Sequence, residues 1–314
     1  MQKLLDGVEF DPSFLKKLPT NILNALDEIM GLGVELSLVG GSVRDLILND
    51  NLGNDLDIEW RPSKGQSFAD LSSILENTLV EKYSGEILSF GVLRLIIDKY
   101  ELELSPPRKE FYQENEFPYG HSDFKIEIDE ALSVKEAFIR RDLTINAIGI
   151  KLGDKSKLID PFNGLADLQN KLIAPCGPTF FNDPVRLLRA IRFRLKFNFE
   201  FSEELEIGLK NFNLSKLSHF YFLSEAMKGP DFFKHLKILF DIIDTQKIVP
   251  PKFYSDVQFF RDYFKLSESI NNAESLLKIL FSQDRVVSDD EIKWLNKSTG
   301  IKKSQILLLK KNGN

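Results

Sequence analysis

Two aspartates one residue apart, Asp55 and Asp57, follow closely on a Gly-Gly turn, and both features suit the chemistry of phosphate. Gly40 and Gly41 come after an apolar run (Leu36, Leu38, Val39) and before a helical pattern carried by Val43, Leu46 and Ile47. A glycine turn at such a junction leaves backbone N–H groups free, and the helix N-terminus that follows favours bound phosphate. Asp55 and Asp57 are interleaved with Leu56 and Ile58, so on a strand both carboxylates share one face. Such a pair suits Mg²⁺ held against a nucleotide's phosphates. Each half has a plainer reading, as a turn and as a solvated strand edge. Their order, cradle then carboxylates, points to a polymerase-type active site.

Other segments carry polar side chains at informative spacing. Glu101 and Glu103 share a face if YELELS is a strand. In IRRDLTINAIGI, residues 139–150, Arg140 and Arg141 offer forked donors to phosphate or ribose oxygens. Asp142 and Asn146 stand within reach of a ribose hydroxyl; the plainer reading makes Asp142 a cap and the arginines solvated. Asp183 followed by Pro184 is a standard helix start, N-cap then N1. Asp183 and Arg186, three apart, meet on one face of that helix. Arg189, Arg192, Arg194 and Lys196 crowd the same helix.

The elements that must position these groups follow from periodicity. Residues 1–33 read as a helical lead-in, with Ile22, Leu23, Leu26 and Ile29 at helical spacing. Strand patterns at 34–39, 55–60, 92–98, 100–105 and 145–152 alternate with helices. Residues 106–123 read as a long polar loop rich in Pro and aromatic residues, the kind that forms lids or binding segments. From about 165 the periodicity is mostly helical, broken at Pro175-Cys176-Gly177-Pro178, at Lys228-Gly229-Pro230 and at Pro250-Pro251. No internal repeat stands out.

The 314 residues suffice for two or three small domains, and 43% hydrophobic residues, including 26 Phe, can build sizeable cores. No apolar run approaches the ~20 residues of a transmembrane helix, and MQKLLDGVEF lacks the apolar core of a signal peptide. A single cysteine, Cys176, excludes an internal disulfide and a thiolate zinc site. Three scattered histidines (121, 219, 235) argue against a histidine metal site. These features predict a cytoplasmic protein without membrane association. A net charge of −6 argues against indiscriminate polyanion binding but leaves local basic patches open, among them six lysines from Lys293 to Lys311.

The motifs GGSVRD (40–45), NDLD (54–57), IRRDLTINA (139–147), LIDPFNG (158–164) and NDPVR (182–186) occur in the order of one family. In them the chain resembles the tRNA nucleotidyltransferase and bacterial poly(A) polymerase family, class II of the nucleotidyltransferases. The departures are Asn49 for a usual Gly, Asn54 for a usual Lys, and Asn182 for a Glu that in relatives helps hold the arginine. The resemblance implies an α+β nucleotidyltransferase head, a mixed β-sheet with helices, followed by an all-α neck, body and tail. It places the head with its lead-in at 1–150, a base-recognising neck at 151–225 and a helical RNA-binding body and tail at 226–314. It implies Asp55, Asp57 and Glu103 as the catalytic, Mg²⁺-binding carboxylates. The nucleotide would meet Gly40, Gly41, Ser42, Arg44, Arg108, Arg140, Arg141, Asp142, Asn146, Asp183, Arg186, Arg189 and Arg192, with Asp183 and Arg186 presenting a Watson–Crick-like edge. Arg108 and Tyr119-Gly120-His121 resemble parts of a loop that moves as nucleotide choice changes. With no His-Asp pair, a short form without a phosphohydrolase domain is expected.

Bacterial poly(A) polymerases carry a GRRF-type phrase where this chain has SFGVLRL (89–95), which is more similar to tRNA-directed members. Addition of CCA to the tRNA 3′ end from CTP and ATP is therefore the expected activity. Poly(A) synthesis, CC-only or A-only addition, and a catalytically inactive RNA-binding protein are the alternatives.

Overall fold

The computed structural model describes residues 12–113, 116–153, 156–252 and 296. The remainder of the expected body and tail, including its lysine-rich end, and the first eleven residues of the lead-in lie outside the described residues. The chain packs into two compact units. One holds residues up to 111, 125–170 and 174–177; the other holds 112–124, 171–173 and the residues from 178 onward.

The first unit begins with α1 (Thr20–Gly31), where Ile22, Ala25, Leu26 and Ile29 recur at helical spacing and are buried. β1 (Val34–Val39), α2 (Gly41–Asn49) and β2 (Asp55–Pro62) follow. α3 (Phe68–Lys82) starts at Ser67, whose side chain accepts from Asp70 N, and buries Leu71, Leu75 and Leu79. Next come β3 (Glu86–Ile87), β4 (Leu93–Ile97), β5 (Tyr100–Ser105), β6 (Arg108–Phe111), β7 (Lys125–Ile128) and α4 (Val134–Phe138). β8 (Gly149–Lys151), β9 (Lys157–Ile159) and α5 (Gly164–Asn170) complete it. Seven strands form one mixed sheet in the order β3-β4-β5-β2-β1-β8-β9. Only β2 and β5 run parallel; the other neighbours are antiparallel.

Two segments differ from the sequence expectation. Arg108 to Phe111, inside the expected 106–123 loop, form a strand that pairs with Lys125 to Ile128 beyond it. Composition hides this strand because charges stabilise it: Lys109 lies 3.3 Å from Asp129 and 3.9 Å from Glu127, its cross-strand partner. The strand expected over 145–152 is confined to 149–151. Thr144–Asn146 form a 3-10 turn whose Thr144 N–H donates to Ala174 O.

The second unit contains β10 (Leu172–Ile173), α6 (Pro184–Phe197), β11 (Glu200–Phe201), α7 (Glu203–Gly208), α8 (His219–Met227) and α9 (Phe232–Gln246). Its described residues are mainly helical. α6 packs against α8 and α9, burying Leu188, Ile191, Phe222, Leu236 and Leu239.

Candidate active site

Gly40 is the pivot of the first unit. Its φ of 81° and ψ of −139° lie where only glycine goes cheaply, and it caps α2 while its N–H donates to Ile148 O. A Cβ here would stand 2.8 Å from Asp57 Oδ2 and 3.0 Å from Arg141 Nη1. The absent side chain thus lets a turn, a carboxylate and a guanidinium meet. Ser42 Oγ donates to Asp55 O at 2.6 Å, tying the first turn of α2 to the start of β2.

Alternation on β2 puts Asp55 and Asp57 on the exposed face while Leu56 and Ile58 are buried. In the parallel register, Asp55 faces Glu101 and Asp57 faces Glu103. The register therefore lines four carboxylates along one face of the two strands. Solvent reaches Asp57, yet protein crowds it on most sides, and that desolvation pushes its pKa up. Arg141 and Arg140 pull it down, while Glu103 and Asp55 add to the rise.

Arg94 on β4 was not singled out by spacing within its own segment. It stands across the antiparallel register from Glu103, 3.1 Å from that carboxylate, 2.7 Å from Glu101 and 2.7 Å from Glu86. Among the described residues no three acidic, histidine or cysteine side chains converge as a ready-made metal cage. The donor chemistry fits a hard divalent cation: oxygen ligands on one face, with Asp57 already favouring neutralisation. Glu103 would have to leave Arg94 to join Asp55 and Asp57 on it.

The arginines flank this face. Arg140 Nη1 lies 3.7 Å and Arg108 Nη2 3.8 Å from Glu110. Burial, with repulsion from neighbouring arginines, holds the Arg140 and Arg108 guanidiniums below the ordinary arginine range, against the pull of Glu110. Arg44, Asn146 and Asp142 are buried and joined in series. Arg44 Nη1 donates to Asn146 Oδ1, and Asn146 Nδ2 donates to Asp142 Oδ1 at 2.9 Å. Asp142 Oδ1 also accepts from Leu143 N at 2.7 Å. Asp142 and Asn146, expected from spacing to meet a ribose, are thus joined to Arg44, whose backbone N–H donates to Gly40 O.

Asp183, Arg186, Arg189 and Arg192 belong to the helical unit. Asp183 caps α6, its Oδ1 accepting from Val185 N at 2.8 Å with Pro184 at N1. Its Oδ2 lies 2.8 Å from His121 Nδ1 and 3.8 Å from Arg186 Nε. Arg192 Nε lies 2.8 Å from Glu225 Oε2, which joins α6 to α8, and its guanidinium sits 4.3 Å over Phe193. Arg189 lies 5.6 Å over the same ring.

Residues 36–174, the span that holds the glycine turn, the carboxylates and the arginine motif, match the poly A polymerase head domain. Those residues therefore carry the head domain of the poly A polymerase family. The chain is 27% identical over 298 residues to a CCA-adding enzyme of Francisella tularensis subsp. novicida (strain U112), covering 87% of this chain and 73% of that protein. It is 32% identical over 263 residues to an A-adding tRNA nucleotidyltransferase of Aquifex aeolicus (strain VF5), covering 80% of this chain but only 28% of that one. A solved tRNA-processing enzyme with CTP superposes with a TM-score of 0.60 at 25% identity, over 91% of this chain and 75% of that one. Nucleotidyltransferases of this family typically use a divalent metal. No helix among the described residues is long and apolar enough to cross a membrane.

Proposed function

We propose that this chain adds CCA to the 3′ end of tRNA from CTP and ATP without a nucleic-acid template, in the cytoplasm, releasing pyrophosphate. The observation that carries the reading is Asp57 facing Glu103 across parallel strands, with Asp57 in turn against the glycine that opens α2. Asp55, Asp57 and Glu103 are the residues that would hold Mg²⁺. When bound, Mg²⁺ supplies neutralisation of charge on the reacting phosphates.

The chain's own groups bind and orient. The amides at the start of α2 favour phosphate, and Arg108, Arg140 and Arg141 offer further donors to the triphosphate. In the reaction the primer's 3′ oxygen bonds to the α-phosphorus, its proton leaves, and the α–β phosphoanhydride bond breaks. Asp183 and Arg186 select the base, the head at 1–150 carries the chemistry, 151–225 the base reading and 226–314 the grip on RNA. Partial addition is the second reading, because one relative at 32% identity is an A-adding enzyme.

Sequencing the 3′ ends of tRNAs ending before or within CCA, after incubation with CTP, ATP and Mg²⁺, tests this. Addition of C, C and A followed by arrest is the expected result. Growth to CC alone, or A on CC ends alone, would replace it with partial addition, and a long A tract with poly(A) synthesis. Incorporation undiminished in Asp55→Ala/Asp57→Ala would sink the catalytic assignment, and no incorporation on any substrate would leave an RNA-binding protein.

A further inference from the structure

The turn joining β3 to β4 carries an aromatic residue in a costly position. It is closed by Leu88 N donating to Val92 O at 2.8 Å. At its tip Phe90 has φ 66° and ψ 29° and is 53% exposed. The left-handed region is unfavourable for an L-residue, and a bulky side chain there is an outlier. Exposing the ring forgoes burial as well. An arrangement that loses twice in the folded state calls for a use.

Its surroundings supply one. Arg108 Cζ lies 5.8 Å over the Phe90 ring. A Cβ at the adjoining Gly91 would stand 3.3 Å from Ile128 Cδ1 and 3.7 Å from Pro106 Cγ, so the turn rests on the chain just beyond β5. The register sets its place relative to the carboxylates: Leu93 faces Leu104, Arg94 faces Glu103, and Glu103 faces Asp57. Phe90 therefore stands past the Ser105 end of β5, on the side toward which β2 and β5 both run. About three residues at ~3.3 Å each separate Glu103 from Pro106 along the strand.

We propose that Phe90 is a stacking platform for the 3′-terminal base of the RNA primer, beside the Arg108 already assigned to the triphosphate. The inference rests on the polymerase reading and deepens it by naming where the primer end lies. An exposed ring beside an arginine is how proteins hold single-stranded nucleic acid without reading its sequence. Sequence tolerance is what this site needs, because the terminal base changes with every nucleotide added. The incoming base is assigned to Asp183 and Arg186, so the platform falls to the primer. Phe90 is a positioning residue here, not a catalytic one.

The test is titration of the full chain into a tRNA whose 3′-terminal nucleotide is 2-aminopurine, without nucleoside triphosphates, reading fluorescence and affinity. Phe90→Asn suits the left-handed turn and removes the ring; Phe90→Tyr keeps the ring and the backbone cost of the wild type. Phe90→Asn should abolish the stacking quench and weaken binding roughly five- to a hundredfold. It should raise KM for tRNA and leave KM for CTP unchanged, with Phe90→Tyr restoring wild-type behaviour. Equal quenching and affinity in wild type and Phe90→Asn overturns the inference while leaving the polymerase reading in place. Unchanged RNA affinity with altered self-association would mark the ring as a protein contact and also overturn it. Failure of the wild-type chain to bind any tRNA overturns the polymerase reading and this inference with it.

Discussion

Asp183 and His121 stand 2.8 Å apart, Oδ2 to Nδ1, while the other oxygen of the same carboxylate caps α6 through Val185 N. One carboxylate thus fastens a helix start and anchors the segment carrying Tyr119, Gly120 and His121. The cap and the proposed base-selecting role can be separated because they tolerate different replacements. Asp183→Ser keeps a capping oxygen and discards the reach to His121. Asp183→Ala loses both and should lower stability by about 1 kcal/mol relative to Asp183→Ser. Both should shift the ratio of C to A incorporated. Thermal unfolding and 3′-end sequencing of the two variants separate these effects. An unaltered nucleotide ratio in both would reduce Asp183 to a helix cap.

Gly40 gives a sharper prediction, because its replacement collides with the site itself. In Gly40→Ala the new methyl would meet Asp57 Oδ2 at 2.8 Å and Arg141 Nη1 at 3.0 Å, on a backbone with φ 81°. Displacing these groups by even ~1 Å should cost about a hundredfold in incorporation rate. Steady-state kinetics beside a circular-dichroism check on folding would decide it, and a near-wild-type rate would mean that the turn and Asp57 do not act together.

The Arg44–Asn146–Asp142 series is buried, so each member depends on the others. Asn146→Ala should destabilise the first unit by about 1–3 kcal/mol, since it strands hydrogen-bonding groups on both sides. Adding Arg44→Met should recover part of that loss, because it removes one of the stranded partners. Urea unfolding of the single and double variants measures the coupling, and strict additivity would contradict it.

His235 predicts an acid sensitivity of the helical unit. The imidazole is fully buried, and neither ring nitrogen has a hydrogen-bond partner among the described residues. Burial drives its pKa from 6.5 down to about 3, with Glu225 opposing and Arg192 adding. The native state holds it neutral, so the unfolded chain binds a proton that the folded one refuses. Its contribution is fully present above pH 6.5 and is lost as pH falls toward 3. His235→Leu should flatten that part of the stability profile and raise stability at pH 5 more than at pH 8. Denaturant melts at several pH values check this, and an acid limb as steep as in wild type would move the sensitivity elsewhere.

Much of the site is written in local spacing. The glycine turn, the outward alternation of Asp55 and Asp57, and the Asp183-Pro184 helix start are relations between residues a few positions apart. Backbone periodicity sets which of them share a face. The mixed sheet and the helical remainder follow from the same periodicities. What tertiary structure alone decided are the relations between segments. Arg94 holds Glu103 only because β4 and β5 pair in that register. Asn146 turns inward because Arg44, 102 residues earlier in the chain, lies within hydrogen-bond reach. The 108–111 strand exists because a partner strand answers its charges. Register and burial are summed over contacts between distant residues, and no single segment of the sequence contains that sum.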